Sequence, residues 1–306
     1  MIKNLCLIIL LSFIYLNAEV FEIAGEGKFR HIIVGGKNTD LFRQVPPDGE
    51  AAERVRAKQT EVARTFDYWL NYLKVNKGDP GLVREALERL GYSDGPNIGR
   101  ALKAAKGILN NAPVDETGPA AIVTIKTLIA TSSMSDAEAY ENISYITGLL
   151  SSVSHPVRVQ AAITLVSFGE KKAGRNVLLN AYKDPRFRRD MTGTACLDCV
   201  AWALGEIGDK DALQALREAL QYNDLNENRK ITIAGTLARL GEENPAVDAL
   251  EQIAFRSRDK WSRVRALETL ARLGPGNSRA QEALRKSHLH DSAPKVREAA
   301  GKILYK

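Results

Sequence analysis

Cysteine is scarce in this chain: Cys6, Cys196 and Cys199 are the only three in 306 residues. So few exclude a disulfide-dense scaffold. Cys196 and Cys199 form a C-x-x-C pair, but two thiolates alone cannot complete a tetrahedral zinc site. None of the four histidines stands at ligand spacing from them. A glycine-rich phosphate loop, an H-E-x-x-H pair and a nucleophile elbow are all missing. No catalytic residue, metal or cofactor is therefore expected, and the chain reads as a non-enzyme. Linkers are lacking too. No Pro/Ser-rich stretch, charge block or low-complexity run separates two domains, which predicts one elongated domain of about 290 residues.

Long apolar runs are also rare. The exception is Leu5–Leu16, twelve residues, short of the roughly 20 that span a bilayer. Lys3 precedes it and Asn17-Ala18 offers a small residue before Glu19, so residues 1–18 read as a secretory signal. Export to the periplasm or the extracellular space is expected. Leu16 is not ideal three residues before the cut, so an uncleaved anchor is the alternative and the only expected membrane attachment. Residues 19–48 form an extended or β-hairpin segment. Val20–Ile23 and His31–Val34 are strand-like there, set between Gly25, Gly27, Gly35 and Gly36.

What the chain has in quantity is a recurring helical pattern. Pro156–Gly169, Cys196–Gly208, Arg229–Gly241 and Ser262–Gly274 share a skeleton of small residues, Leu, an apolar residue and Gly. A last copy runs over Val296–Tyr305. The closing glycines Gly169, Gly208, Gly241 and Gly274 are 39, 33 and 33 residues apart, and a fixed period of this size marks a solenoid. Glycine stops each helix, and a second apolar helix follows, as at Leu213, Leu216 and Leu220. Residues 49–153 carry degenerate helical repeats: Val55, Val62, Phe66, Trp69 and Leu73 form one stripe. Asp79-Pro80 starts a further helix, and Ser135 with Glu138 has capping-box spacing.

The pattern V-R-x-x-A-A-x-x-L-x-x-[LIF]-G over residues 154–306, followed by a helix such as Asp209–Leu216, resembles the HEAT-like repeats found in bilin lyases and bacterial scaffold proteins. The resemblance implies an all-α, right-handed α-α superhelix, a HEAT-like (armadillo-like) solenoid. It also implies a ladder in which an acidic residue stands six positions before the repeat arginine, as Asp291 before Arg297. Asp224 and Lys230 keep a weaker form. The second copy departs, with Leu197 at the arginine position.

In the family the V-R helix lines the concave side. Positions normally polar there are held by Ile163, Trp202, Gly235, Glu268 and Lys302, with Glu206, Arg239 and Arg272 one turn later. Ile163, Trp202, Glu206, Arg239, Glu268 and Arg272 are therefore the candidate partner-binding groove, Trp and Arg being the types enriched at hot spots. Packing of Trp202 between neighbouring repeats is the alternative. Cys196 and Cys199 read either as a local disulfide or as buried thiols.

The formal net charge is +6, and residues 253–306 hold thirteen Lys/Arg against five Asp/Glu. A basic segment attracts anionic partners, though export argues against nucleic acid. The function expected is an exported, non-catalytic scaffold binding a protein or peptide in its groove. The competing readings are a HEAT-like enzyme or chromophore lyase, and a binder of an anionic polymer through the basic C-terminal repeats.

Overall fold

The structure, a computed structural model, describes residues 29–44, 49–111, 116–185, 188 and 197–305. The signal reading of residues 1–18 and the strand expected at Val20–Ile23 lie outside the described residues. Strand β1 (Phe29–Val34) pairs antiparallel with β2 (Lys37–Gln44). Gly35 and Gly36 turn the chain with φ of 59° and 77°. Two successive positive φ values are what a tight hairpin turn requires and what glycine permits. His31–Val34 thus pairs with the polar stretch that follows it. Two strands alone are marginal, and here they lean on helices. Ile32 is fully buried in the core with Val62 and Phe66. The amide of Ile33 donates to Asp136 Oδ2 at 3.1 Å.

The helices that follow are α1 (Gly49–Val75), α2 (Pro80–Leu90), α3 (Ile98–Leu109), α4 (Gly118–Thr131), α5 (Asp136–Gly148) and α6 (His155–Ser167). Their starts obey the local chemistry. Asp79 accepts from the Gly81 and Leu82 amides with Pro80 behind it, and Ser135 and Glu138 form a reciprocal capping box. Asn142, although in a glycosylation sequon, is buried and donates to the Glu138 carbonyl at 2.7 Å. Helices α2, α4 and α6 pack in succession, and α4 is buried from Gly118 to Ala130 except Val123. Thr124 Oγ1 donates to the Leu87 carbonyl at 2.9 Å, tying α4 to α2. A helix buried on all sides needs neighbours on all sides, and α4, whose buried residues include Lys126, occupies that central place.

The described residues divide into two compact units, with the boundary at Val177/Leu178 inside α7 (Arg175–Ala181). Helix α6 shares the core of the helices before it. Val157, Ala161, Leu165 and Phe168 lie in one cluster with Ile122, Ile125, Leu128 and Ile143. Each buried Val, Leu, Ile or Phe there contributes about 1.5–3 kcal/mol over an exposed one.

The second unit contains α8 (Leu197–Ile207), α9 (Lys210–Leu220), α10 (Glu227–Arg239), α11 (Glu243–Arg256), α12 (Lys260–Ala271), α13 (Ser278–His290) and α14 (Pro294–Leu304). Helices α8, α10, α12 and α14 pack each on the next, while α11 packs on α13. This is the layered stacking of an α-solenoid, in which each helix pair completes its core against its neighbour. The first helix of each pair ends as the sequence requires: Gly208, Gly241 and Gly274 adopt φ of 65°, 84° and 82°. Side chains of Asp209, Asn226, Asp259 and Asn277 cap the helix starts. Hydrogen bonds and a nearby charge act on the Asp259 carboxyl, the Ser262 amide first, and hold it below the usual carboxylate range.

An arginine ladder runs through the repeats. Arg158 donates to the carbonyls of Ser152 and Val153, and Arg297 to those of Asp291 and Ser292, six and five residues back. Arg188 does the same to Tyr182 and Lys183. It therefore fills the arginine role that the sequence left vacant at Leu197. Arg188 lies 20 residues before Gly208, whereas Arg263 lies 11 before Gly274, so nine extra residues hide it from a fixed-period alignment. Two rungs bridge copies: Arg188 Nε to Asp224 Oδ1 at 2.7 Å, and Arg263 to both Asp291 oxygens at 2.9 and 3.0 Å. The acidic residue of one copy thus serves the arginine of the copy before it.

Candidate binding cleft

Stacking places equivalent positions of α8, α10 and α12 side by side, 33 residues apart: Trp202, Gly235 and Glu268. The middle residue has no side chain, and a Cβ built on it would meet Thr269 Cγ2 at 3.2 Å. Trp202, Gly235 and Glu268 line one depression. It is a cleft of about 620 Å³, walled by those residues together with Arg239, Arg265 and Arg272 and bounded at the start of α11 by Glu243. Five of its thirteen lining residues are charged, so it differs from the mostly apolar pockets that suit drug-like molecules.

Of the groove residues expected from sequence, Trp202, Arg239, Glu268 and Arg272 come together here. Ile163 does not belong: it is 1% exposed. Helix α6 is buried at every residue from Val159 to Val166, so no face of it is open at that point. Glu206 is half-buried and does not wall the cleft. Arg265 was missed. Its signal was spacing, for it stands three residues before Glu268 and seven before Arg272 and shares their helix face.

Arginines at several repeat contacts are ion-paired, whereas exposed Arg256 and Arg258 outside the cleft make no ion pair among the described residues. The structural arginines are paired: Arg188 with Asp224, Arg217 with Glu242, Arg263 with Asp291, and Arg279 with Asp248 and Glu251. Those pairs raise the Arg279 pKa further, the hydrogen bond to Glu251 most of all. Among the described residues, Arg239, Arg265 and Arg272 make no ion pair, and all three are exposed. Glu243 accepts from Asn277 Nδ2 at 2.8 Å. The guanidinium of Arg239 lies against α8, where a Cβ on Gly205 would approach its Nη2 to 3.0 Å.

The hydroxyls in the cleft are committed to their own helices. Thr232 donates to the Asn228 carbonyl, Thr236 to Thr232 and Thr269 to Arg265, at 3.2, 3.1 and 2.8 Å. Among the described residues no group of three or more His, Cys, Asp or Glu could hold a metal ion. His288 plays a packing part, with its ring against Gly301, edge-on to Tyr305 and hydrogen-bonded to the Arg297 carbonyl. Cys199 is buried and disulfide-bonded; its partner lies outside the described residues. No helix among the described residues is long and apolar enough to cross a membrane.

No curated protein matches this chain. Seven chains of solved structures match. One of them, the crystal structure of an engineered protein, aligns over 84% of this chain and 75% of its own at 18% identity with a TM-score of 0.42. Residues 200–222, which run from Val200 on α8 through the Gly208 turn and α9, match the family model of the PBS lyase HEAT-like repeat.

Proposed function

We propose that this protein is an exported, non-catalytic HEAT-like repeat scaffold that binds a protein or peptide partner in the cleft across α8, α10 and α12. The observation that carries this reading is the convergence of three arginines, unpaired among the described residues, on one cleft beside Trp202. A solenoid presents equivalent helices as one extended surface, and Trp and Arg dominate binding energy at interfaces. The committed threonine hydroxyls favour binding over catalysis, because none is released to act as a nucleophile. Export is supported by the apolar Leu5–Leu16 run and by the disulfide at Cys199, since such bonds persist in oxidising compartments.

Photo-crosslinking tests the surface whatever the partner is. A benzophenone side chain placed at Ala238, a cleft residue, should capture a discrete partner in the native envelope fraction. The same group at Gln214, exposed on α9, should not. Capture from Gln214 but not from Ala238 would place the interface elsewhere.

A further inference from the structure

We infer that the occupant of this cleft is an acidic peptide segment whose carboxylates pair with Arg239, Arg265 and Arg272 while an apolar side chain rests beside Trp202. The inference rests on the proposed role of the cleft and specifies its partner. Three exposed guanidinium groups face one depression without an ion pair, against a single uncommitted carboxylate, Glu268. The complementary ligand is therefore anionic, and guanidinium binds carboxylate through charge-assisted, often paired hydrogen bonds.

Spacing favours a peptide over one small anion. Arg265 on α12 and Arg272, the helical-conformation residue that caps its end, are seven residues apart, so their backbones stand about 10 Å apart. Arg239 arises from the neighbouring helix at about 8–10 Å. Carboxylates three residues apart on a polyproline II segment share one face and are separated by about 9 Å, which matches both spacings. The cleft volume of about 620 Å³ admits a side chain between them.

Glu268 gives the inference a sign that a merely sticky basic face would not show. It lies three residues from Arg265 and four from Arg272, within ion-pairing reach of both, and so competes with an incoming carboxylate. Removing its charge should strengthen acidic binding while weakening any basic ligand.

The test uses the full chain and fluorescein-labelled peptides of about twelve residues, spanning roughly 40 Å when extended. One has Glu at every third position and a central Leu; its counterparts replace Glu by Gln or Lys. A single-stranded oligonucleotide of equal charge is the fourth probe. The acidic peptide should bind best. Arg272→Gln and Arg239→Gln should each weaken it about tenfold, the loss of a charge-assisted hydrogen bond. Glu268→Gln should strengthen it about threefold. Arg285→Gln, exposed on α13 outside the cleft, should change nothing.

Equal losses from Arg285→Gln and Arg272→Gln would reduce the effect to general charge attraction and overturn the inference. So would a tighter hold on the oligonucleotide that the acidic peptide cannot displace. Binding of the Gln or Lys peptide, abolished by Trp202→Ala, would overturn the acidic assignment while leaving the cleft as a peptide site. Binding of no peptide, together with crosslinking only outside the cleft, would remove the cleft itself.

Discussion

Asp291→Ala should destabilise the second unit by about 3–5 kcal/mol, the cost of leaving a buried ionic partner alone. The side chains of Arg263 and Asp291 are only 10% and 8% exposed. Asp291 accepts two bonds from the Arg263 guanidinium and a third from the Ala293 amide at 2.8 Å. Removing the carboxylate strands a charged group that keeps only its bond to the Ser257 carbonyl. Asp67→Ala is the matched control. Its partner Arg100 stands 2.6 Å away, but the side chains are 82% and 49% exposed, and exposed pairs contribute at most about 1 kcal/mol. Urea unfolding of both variants should separate them clearly. Equal midpoints would show that the ladder is not what holds neighbouring copies together.

Trp202→Ala should weaken partner binding by about 2 kcal/mol or more, roughly thirtyfold, as truncation of an aromatic hot spot does. Trp202 is half-buried and walls the cleft beside Gly235. The stability loss should therefore stay below the roughly 3–5 kcal/mol typical of a fully buried Trp or Phe cut to Ala. A melting curve beside a binding isotherm separates the two roles. A large fall in melting temperature, with unchanged affinity of the folded fraction, would make Trp202 a packing residue and not a binding one.

Much of the second unit is legible in its sequence because the determinants are local. The left-handed glycines at Gly208, Gly241 and Gly274, the side-chain caps and the apolar spacing of α10 and α12 all depend on residues within a turn or two. What escapes is what depends on neighbours distant in the chain. Helical periodicity places Ile163 on the same face as Trp202, but it cannot show that α6 is covered on every side there. Arg188 escapes because inserted residues break the register, although its carbonyl contacts match those of Arg158 and Arg297. Lys37–Gln44 is polar, and only the turn at Gly35-Gly36 makes it a strand, since pairing outweighs propensity in sheets. The cleft itself arises where three copies differ at one position, Trp202, Gly235 and Glu268. Repeat alignment emphasises the positions that agree.

The most direct test of the cleft as the binding surface is hydrogen exchange of the full chain, with and without its crosslink-identified partner. Binding should slow exchange along one face of α10 and α12, in segments covering residues 231–239 and 265–273, and around Trp202 on α8. Protection confined to the hairpin and α1–α6, or to α13 and α14, with these segments unchanged, would contradict it.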